Sequence, residues 1–172
     1  MLARTDVNRD PVRAAATLVA AVAVLTMLTV FFFQYGLGYP PCPLCLDQRI
    51  AFYVTIPLAV VIAVAAARHA PRPVLLAGLA VIALAMLLNA ALGVYHSGVE
   101  WKLWAGPQDC SGPMTSFGRA SDLMKQLSSV HVVRCDDAPW RLFGLSLAGY
   151  DVLVSLGLAG VALWGVVAAR RA

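Results

Sequence analysis

Charged residues are scarce in this chain: they make up 13% of its 172 residues, whereas 60% of the residues are apolar. A typical soluble domain carries about 25% charged residues, so the composition excludes an ordinary soluble protein. Internal repeats and low-complexity tracts are also lacking. Long apolar runs occupy most of the chain and leave little sequence for a separate soluble domain. We therefore expect residues 1–172 to form a single membrane domain.

The apolar residues are concentrated in four runs, which cover residues 14–35, 50–67, 74–95 and about 143–169. Each run has about the 17–25 residues that a helix needs to cross the hydrocarbon core of a bilayer. The runs predict an all-α membrane protein, an antiparallel bundle of four transmembrane helices. The outer loops are expected at about 36–49 and 96–142.

The first run lacks the features of a cleaved signal peptide. Its apolar stretch is too long, and no pattern of small residues typical of a cleavage site follows it. It ends in an aromatic cluster, Phe31 to Tyr35, which is typical of a helix reaching the membrane interface. We expect this run to be retained as a transmembrane helix.

Positive charge is scarce on one side of the predicted bundle. One side holds the N-terminus, the connector at 68–73 and the C-terminus, which together carry seven Arg and two Asp, a net charge of +5. The other side holds the two outer loops, which carry six Lys or Arg and seven acids, a net charge of −1. Because Lys and Arg accumulate on the cytoplasmic side, both termini are predicted to be cytoplasmic and both outer loops external. A basic stripe interleaved with aromatics is absent, so no nucleic-acid partner is expected.

The second outer loop contains one helical pattern. Apolar residues recur there at helical spacing, at Ala120, Leu123, Met124, Leu127 and Val130. Such a short amphipathic helix fits two arrangements. It can lie flat on the membrane surface with its apolar face down, or it can pack on the loop's own side chains.

Cysteine is rare, and all four cysteines fall in the outer loops: Cys42 and Cys45 in the first, Cys110 and Cys135 in the second. Disulfides persist in oxidising compartments, which agrees with an external position. The Cys42–Cys45 pair is a CxxC motif where the second helix begins, and the free amides and dipole of a helix start stabilise a thiolate. A thiolate is the species that attacks disulfides, so the motif is a candidate redox pair. The alternatives are a structural disulfide or half of a zinc site.

The second pair encloses 24 residues, and Gly and Pro flank Cys110 on both sides. This composition indicates an exposed segment. Two functions fit it: a staple that lowers the entropy of the unfolded loop, or a mobile disulfide that exchanges with the CxxC motif. The four thiols could together complete a zinc site, but the wide spacing of Cys110 and Cys135 resembles no zinc ribbon, and we predict no metal.

Arg49 lies four residues after Cys45, hence one turn along the same helix face. A charge at membrane depth is costly and usually functional, so we predict that Arg49 stabilises an anion near the thiols; the alternative is an interfacial anchor. Gln48 either adds a hydrogen bond or is solvated. His96, at the outer end of the third run, either hydrogen-bonds a ligand carbonyl or is an interfacial polar residue.

Two polar residues fall inside or beside the later runs. Asn89 is expected to hydrogen-bond a neighbouring helix. Asp151 is expected in the first turn of the fourth helix, where a carboxylate suits the helix dipole.

Several of these motifs together resemble the disulfide bond formation protein B (DsbB) family of bacterial inner-membrane thiol:quinone oxidoreductases. The most specific match is the run from Pro41 to Arg49, PCPLCLDQR. The other matches are Tyr95-His96, the Cys110–Cys135 spacing, and Trp140, Phe143, Gly144 and Leu145 after Cys135. The resemblance covers nearly the whole chain, including four spans, a short first outer loop and a long second one.

The resemblance implies a mechanism in the bacterial inner membrane, with the cysteine loops in the periplasm. A reduced thioredoxin-fold partner similar to DsbA would attack the Cys110–Cys135 disulfide, with Cys110 taking the mixed disulfide. Cys135 and Cys42 would then exchange, and Cys45 would deliver the electron pair to a bound quinone, either ubiquinone or menaquinone.

The same resemblance assigns cofactor-binding roles to Arg49 and His96, which would stabilise charge on the quinone ring. The residues alone also leave open two functions other than that of an enzyme. One is a membrane scaffold whose disulfides only staple its loops, and the other is a membrane protein that binds metal through its thiols.

Overall fold

The structure is a computed structural model and describes residues 11–107 and 134–171. Helix α1 spans Pro11–Phe31 and continues into a π-helical turn at Phe32–Gly36. Helices α2 and α3 span Pro43–Ala67 and Arg72–Glu100, and helix α4 spans Leu147–Arg171. All four are long and apolar enough to cross a membrane, with mean hydropathies between 2.2 and 2.5. The prediction of an all-α, four-span membrane protein is confirmed.

The helices extend beyond the apolar runs at the end that carries the cysteines. Helix α2 begins at Pro43, so residues 43–49 are helical although we expected them in the outer loop. Helix α3 continues to Glu100, which moves His96 from the loop into the helix. The apolar run at 50–67 underestimated the length of α2. Polar residues in the first two turns of α2 interrupt the apolar pattern, but they do not interrupt the backbone hydrogen bonding of the helix.

A two-stranded hairpin precedes α4, where the fourth apolar run had been expected to begin at about 143. Strands β1 (Arg141–Leu142) and β2 (Leu145–Ser146) pair antiparallel. Between them, Phe143 and Gly144 both have positive φ, 51° and 83°, which is the requirement of a tight type I′ turn. Asp151 therefore lies in the second turn of α4, and its expected position in the first turn was wrong. The amphipathic helix predicted at 120–130 lies outside the described residues.

The four helices form a ring in which α1 packs on α2 and α4, and α3 packs on α2 and α4. Their shared core is rich in small residues, which allow the helix backbones to approach closely. Gly165 of α4 illustrates this packing, because a Cβ there would lie 2.6 Å from the Cβ of Ala15 and 3.0 Å from Leu79 Cδ1.

A second, smaller group of buried residues lies at one end of the bundle and consists of Cys42, Leu44, Val99 and Cys135. We call it the cysteine cluster. It joins the start of α2, the end of α3 and the segment that leads into β1. The bundle thereby brings together two cysteines that are 93 positions apart in the sequence.

Candidate active site

Cys42 is the N-cap of α2, and this position determines what surrounds its sulfur. Its backbone is extended, Pro43 follows at the first helical position, and its Sγ accepts the backbone N–H of Cys45 at 3.2 Å. Proline suits this position because its missing N–H would have no helical partner. The CxxC motif thus folds into the first helical turn, which directs both sulfurs to the same helix end.

The two sulfurs of the motif lie 2.7 Å apart and share a hydrogen bond. Both are free thiols, Cys42 being buried and Cys45 half-buried. The hydrogen bond from Cys45 is the largest influence on Cys42 and lowers its pKa to about 5. Burial opposes this shift, and the hydrogen bond and charge of His96 reinforce it. Cys42 is therefore a thiolate at neutral pH, as expected for a thiol at a helix start.

His96 contacts the motif from α3. Its side chain is only 2% exposed, and its Nε2 lies 3.6 Å from Cys42 Sγ. The same nitrogen is 3.8 Å from Glu100 Oε1, one turn further along α3. On the other side of the ring, Nδ1 lies 3.0 Å from Gln48 Oε1. His96 is therefore a buried partner of the thiols, and the alternative of an interfacial polar residue does not hold.

Arg49 is buried as well, with 8% exposure. Its Nη1 donates to Gln34 Oε1 at 2.6 Å, and its guanidinium lies 5.8 Å from the ring centre of Phe31. Its buried Nε has no hydrogen-bond partner among the described residues. Arg49 thus turns inward towards α1 and is not a solvated anchor.

A cavity of about 100 Å³ opens beside Arg49 between α1, α2, α4 and the segment that precedes α2. Its polar lining includes Gln34, Cys45 and Arg49, and its apolar lining includes Val30 and Phe52. An apolar cavity with a few convergent polar groups is the usual form of a small-molecule site. The cavity thus combines a thiol and a guanidinium group with mostly apolar walls. Glu100 and Asp151 also contribute to the lining, so the cavity holds acidic groups beside its cation.

Cys135 brings the second cysteine pair to the same place. It is 1% exposed, disulfide-bonded, and a member of the cysteine cluster with Cys42. Cys110 lies outside the described residues, so the pairing of Cys110 with Cys135 remains a prediction. Of the four predicted catalytic cysteines, the structure thus brings together Cys42, Cys45 and Cys135.

An ion-pair group fixes the chain next to Cys135. Asp136 accepts hydrogen bonds from Lys102, just after α3, and from Arg134. These two bonds, that of Lys102 first, lower the pKa of Asp136 below its usual value. Because Asp136 is partly exposed, solvent screens this group and its contribution to stability is small. Its role is to hold residues 134–136 against the end of α3.

A chain of buried hydrogen bonds leads from His96 into the bundle, and sequence reasoning missed it. Gln48 Nε2 donates to Asp151 Oδ2 at 3.0 Å. Asn89 Nδ2 donates to the same oxygen and to Ser155 Oγ, both at 3.0 Å. The expected bond from Asn89 to a neighbouring helix is present, and its partners are both on α4.

Glu100 carried a local signal that sequence reasoning did not use, because it follows His96 by four positions and so shares its helix face. Gln48 and Asp151 were both named from the sequence, but the hydrogen bond between them joins different helices and had no local signal. The same is true of the contact between Gln34 and Arg49.

The thiols and His96 also place three potential metal ligands within 4.8 Å of one another. A structural zinc site has four ligands, so this group is one ligand short within the described part of the chain. The short distance between the two sulfurs suits a redox pair that closes to a disulfide.

The chain is similar to known proteins over most of its length. The family model described as "Disulfide bond formation protein DsbB" matches residues 12–165. A protein named "Disulfide bond formation protein B 2" from Pseudomonas syringae pv. syringae is 30% identical over 152 residues, which cover 84% of this chain and 83% of the relative.

Two further relatives carry the name "Disulfide bond formation protein B". The one from Xanthomonas euvesicatoria pv. vesicatoria is 32% identical over 81% of both chains. The one from Verminephrobacter eiseniae is 30% identical over 96% of this chain and 93% of its own. The similarity therefore extends over most of the length of both proteins.

Proposed function

Because this chain belongs to the disulfide bond formation protein B family, and is thus a multi-pass membrane disulfide oxidoreductase, we propose that it is quinone-dependent. In this proposal it reoxidises a periplasmic dithiol protein similar to DsbA and passes the electrons to a quinone. It does so in the bacterial inner membrane, with both termini cytoplasmic and the cysteine loops periplasmic.

One observation carries the proposal: Cys45 faces the same apolar cavity as Arg49, while Cys42 belongs to the cluster that contains Cys135. The CxxC motif therefore lies between a second disulfide on one side and a cavity suited to a lipid-soluble acceptor on the other. A staple or a scaffold has no need for a thiol and a buried guanidinium that line the same apolar cavity.

Thiol exchange supplies the first half of the reaction. A thiolate of the reduced partner attacks Cys110, forms a mixed disulfide with it and releases Cys135 as a thiolate. Cys135 attacks Cys42 of the oxidised CxxC pair and releases Cys45. The second partner thiolate then resolves the mixed disulfide, leaving the partner oxidised and freeing Cys110. When Cys110 displaces Cys42 from Cys135, the Cys110–Cys135 disulfide reforms and both thiols of the CxxC pair are reduced.

The structure's free Cys42 and Cys45, with Cys135 in a disulfide, match the state reached at the end of this sequence. A bound quinone would supply the acceptor for two electrons and two protons. Arg49, which lines the cavity, would hold it through its positive charge and guanidinium donors, and Cys45 would face it from the first turn of α2. His96 contacts Cys42 and is not among the residues that line the cavity. In this proposal it therefore stabilises the thiols and not the quinone ring, in contrast to the role that the resemblance implied for it.

The first experiment is quinone reduction by the purified protein in detergent, with a reduced DsbA-like protein as electron donor. Absorbance reports quinone consumption, and Cys45→Ser is the matched control. Consumption that needs both the donor and Cys45 supports the proposal. Absence of consumption with both ubiquinone and menaquinone analogues, in protein whose thiols still react with alkylating reagents, would overturn the quinone step.

A further inference from the structure

Asp151 belongs to no part of the mechanism above, yet it is the shared acceptor of the buried hydrogen bonds behind the thiols. It lies on α4, 103 positions from Gln48 and 62 from Asn89, and both amides donate to its Oδ2. An acidic group that lies half-buried among membrane helices is costly and usually functional. Its connection to Cys42 runs through two side chains, and the direction of each hydrogen bond can be deduced.

The deduction starts at Gln48. An amide nitrogen only donates, and a side-chain amide oxygen only accepts. Since Gln48 Nε2 points to Asp151 Oδ2, its Oε1 must be the atom that faces His96 Nδ1. The carboxyl group of Asp151 therefore determines which way the amide of Gln48 is turned.

The orientation of Gln48 determines the tautomer of His96. Because Oε1 can only accept, His96 Nδ1 must carry the hydrogen of the 3.0 Å contact. In the neutral ring the other nitrogen, Nε2, then has a free lone pair, and this is the atom 3.6 Å from Cys42 Sγ. Were the amide turned the other way, Nε2 of the neutral ring would carry the hydrogen and could not accept the proton of the thiol.

We propose that Asp151 is a positioning residue: acting through Gln48, it holds His96 in the tautomer that accepts the proton of Cys42. The proton moves from Cys42 Sγ to His96 Nε2, which leaves a thiolate beside an imidazolium. The imidazolium keeps its Nδ1–H bond to Gln48 and lies near the carboxylate of Glu100. The inference rests on the proposed function only in taking Cys42 as an exchanging thiol.

The packing of α3 on α4 supports this arrangement. Gly93 lies one turn before His96, and a Cβ there would lie 2.7 Å from Val152 Cγ2 and 3.1 Å from Gln48 Nε2. A side chain at position 93 would therefore push α4 or the Gln48 amide away. The absence of a side chain leaves Gln48 the space it needs to reach from His96 to Asp151.

Other charged and titratable groups also act on this site, and the test must separate Asp151 from them. Among the described residues, the groups that act on Cys42, Cys45 or His96 are Cys45 and Arg49 from α2, His96 and Glu100 from α3, Asp151 from α4, and Arg141 from β1 through Glu100. Within the same part of the chain, the hydrogen bonds to His96 Nδ1 lead through Gln48 to Asp151, so an effect that requires His96 identifies the relay.

The test measures the alkylation rate of Cys42 against pH in the reduced, full-length protein in detergent, with peptide mass spectrometry to resolve the four cysteines. We expect Asp151→Asn to raise the midpoint of the Cys42 profile by about one pH unit. An asparagine amide can donate as well as accept, so it no longer fixes the orientation of Gln48, and the imidazolium also loses a nearby negative charge. Asp137→Asn, which removes a carboxylate outside the bundle, is the matched control and leaves the midpoint unchanged.

Two further variants distinguish positioning from general damage to the fold. Gln48→Glu places a carboxylate directly against His96 Nδ1, so the double variant Gln48→Glu/Asp151→Asn should return the midpoint towards that of the unaltered protein. In a His96→Gln background, Asp151→Asn should cause no further shift. If Asp151→Asn does not yield folded protein, Gln48→Met tests the same relay with the carboxyl group kept.

An unchanged midpoint in Asp151→Asn, or an equal shift in the presence and absence of His96, would overturn the proposal. None of these measurements needs a quinone or a partner protein. Their outcome therefore does not depend on whether the protein reduces a quinone, and the two proposals can be tested separately.

Discussion

Cys42 and His96 are 54 positions apart, yet Cys42 Sγ lies 3.6 Å from His96 Nε2 at the point where α2 begins and α3 nears its end. This contact joins a helix N-cap to an imidazole that is itself held by Gln48. A thiolate in this position is stabilised from three directions: by the thiol of Cys45, by the N–H of Cys45 and by His96.

The first prediction concerns the pH dependence of Cys42. With its pKa lowered to about 5, Cys42 of the reduced protein should react with iodoacetamide at nearly full rate at neutral pH and lose reactivity as the pH falls through about 5. Cys45→Ala removes the largest cause of the shift and should move this midpoint upwards. Equal midpoints in both proteins would contradict the role of the Cys45 hydrogen bond.

The lowered pKa of Cys42 also affects the stability of the reduced protein. The folded pKa lies below the value of about 8.5 for an unfolded cysteine, so the thiolate stabilises the reduced fold. This contribution is complete above the unfolded pKa and is lost as the pH falls through about 5. The unfolding temperature of the reduced protein, compared with that of Cys42→Ala, should show a difference that narrows as the pH falls from about 8.5 to 5.

The second prediction is that Cys42→Ser and Cys45→Ser each abolish quinone-dependent turnover, since each removes one sulfur of the pair that must be oxidised. The measurement is quinone consumption with a reduced DsbA-like donor. Both variants should remain folded, because serine replaces sulfur with a smaller atom, and at Cys42 it also suits the N-cap position. Full turnover in both variants would rule out the electron route through the CxxC pair.

The third prediction concerns Arg49. Replacing it with Gln should raise the apparent KM for quinone by about 10- to 100-fold, the range for loss of a hydrogen bond from a charged donor. Thiol exchange with the partner should be retained, which a mixed-disulfide trapping assay measures. Arg68→Gln, which removes the same charge just after α2 ends, is the matched control, and an equal effect of both changes would argue against a local role.

The fourth prediction tests the packing behind the site. Gly93→Ala places a methyl group 2.7 Å from Val152 Cγ2, and such overpacking costs about 1–3 kcal/mol. Gly160→Ala is the matched change, because a Cβ there meets nothing within 4 Å and Ala favours helix over Gly. Thermal unfolding in detergent should show a lower midpoint for Gly93→Ala and an unchanged or higher one for Gly160→Ala.

Local sequence patterns were sufficient for several features of this protein. The four apolar runs predicted the four helices, since a segment of about 20 apolar residues that crosses a bilayer must satisfy its own backbone hydrogen bonds as a helix. The CxxC motif predicted a stabilised thiolate, and two of its causes, the thiol and the backbone N–H of Cys45, lie within the motif itself. Arg49 was selected because one helical turn relates it to Cys45.

Only the tertiary structure decided which side chains meet across helices. Periodicity assigns a residue to a helix face but does not specify the opposing residue, so the contacts of His96 with Cys42 and of Gln48 with Asp151 had no local signal. The burial of His96 followed from the extension of α3 to Glu100, which apolar content alone did not indicate. The sequence therefore determined the helices and the position of the CxxC thiols at a helix start, whereas packing of α2, α3 and α4 decided which side chains contact those thiols.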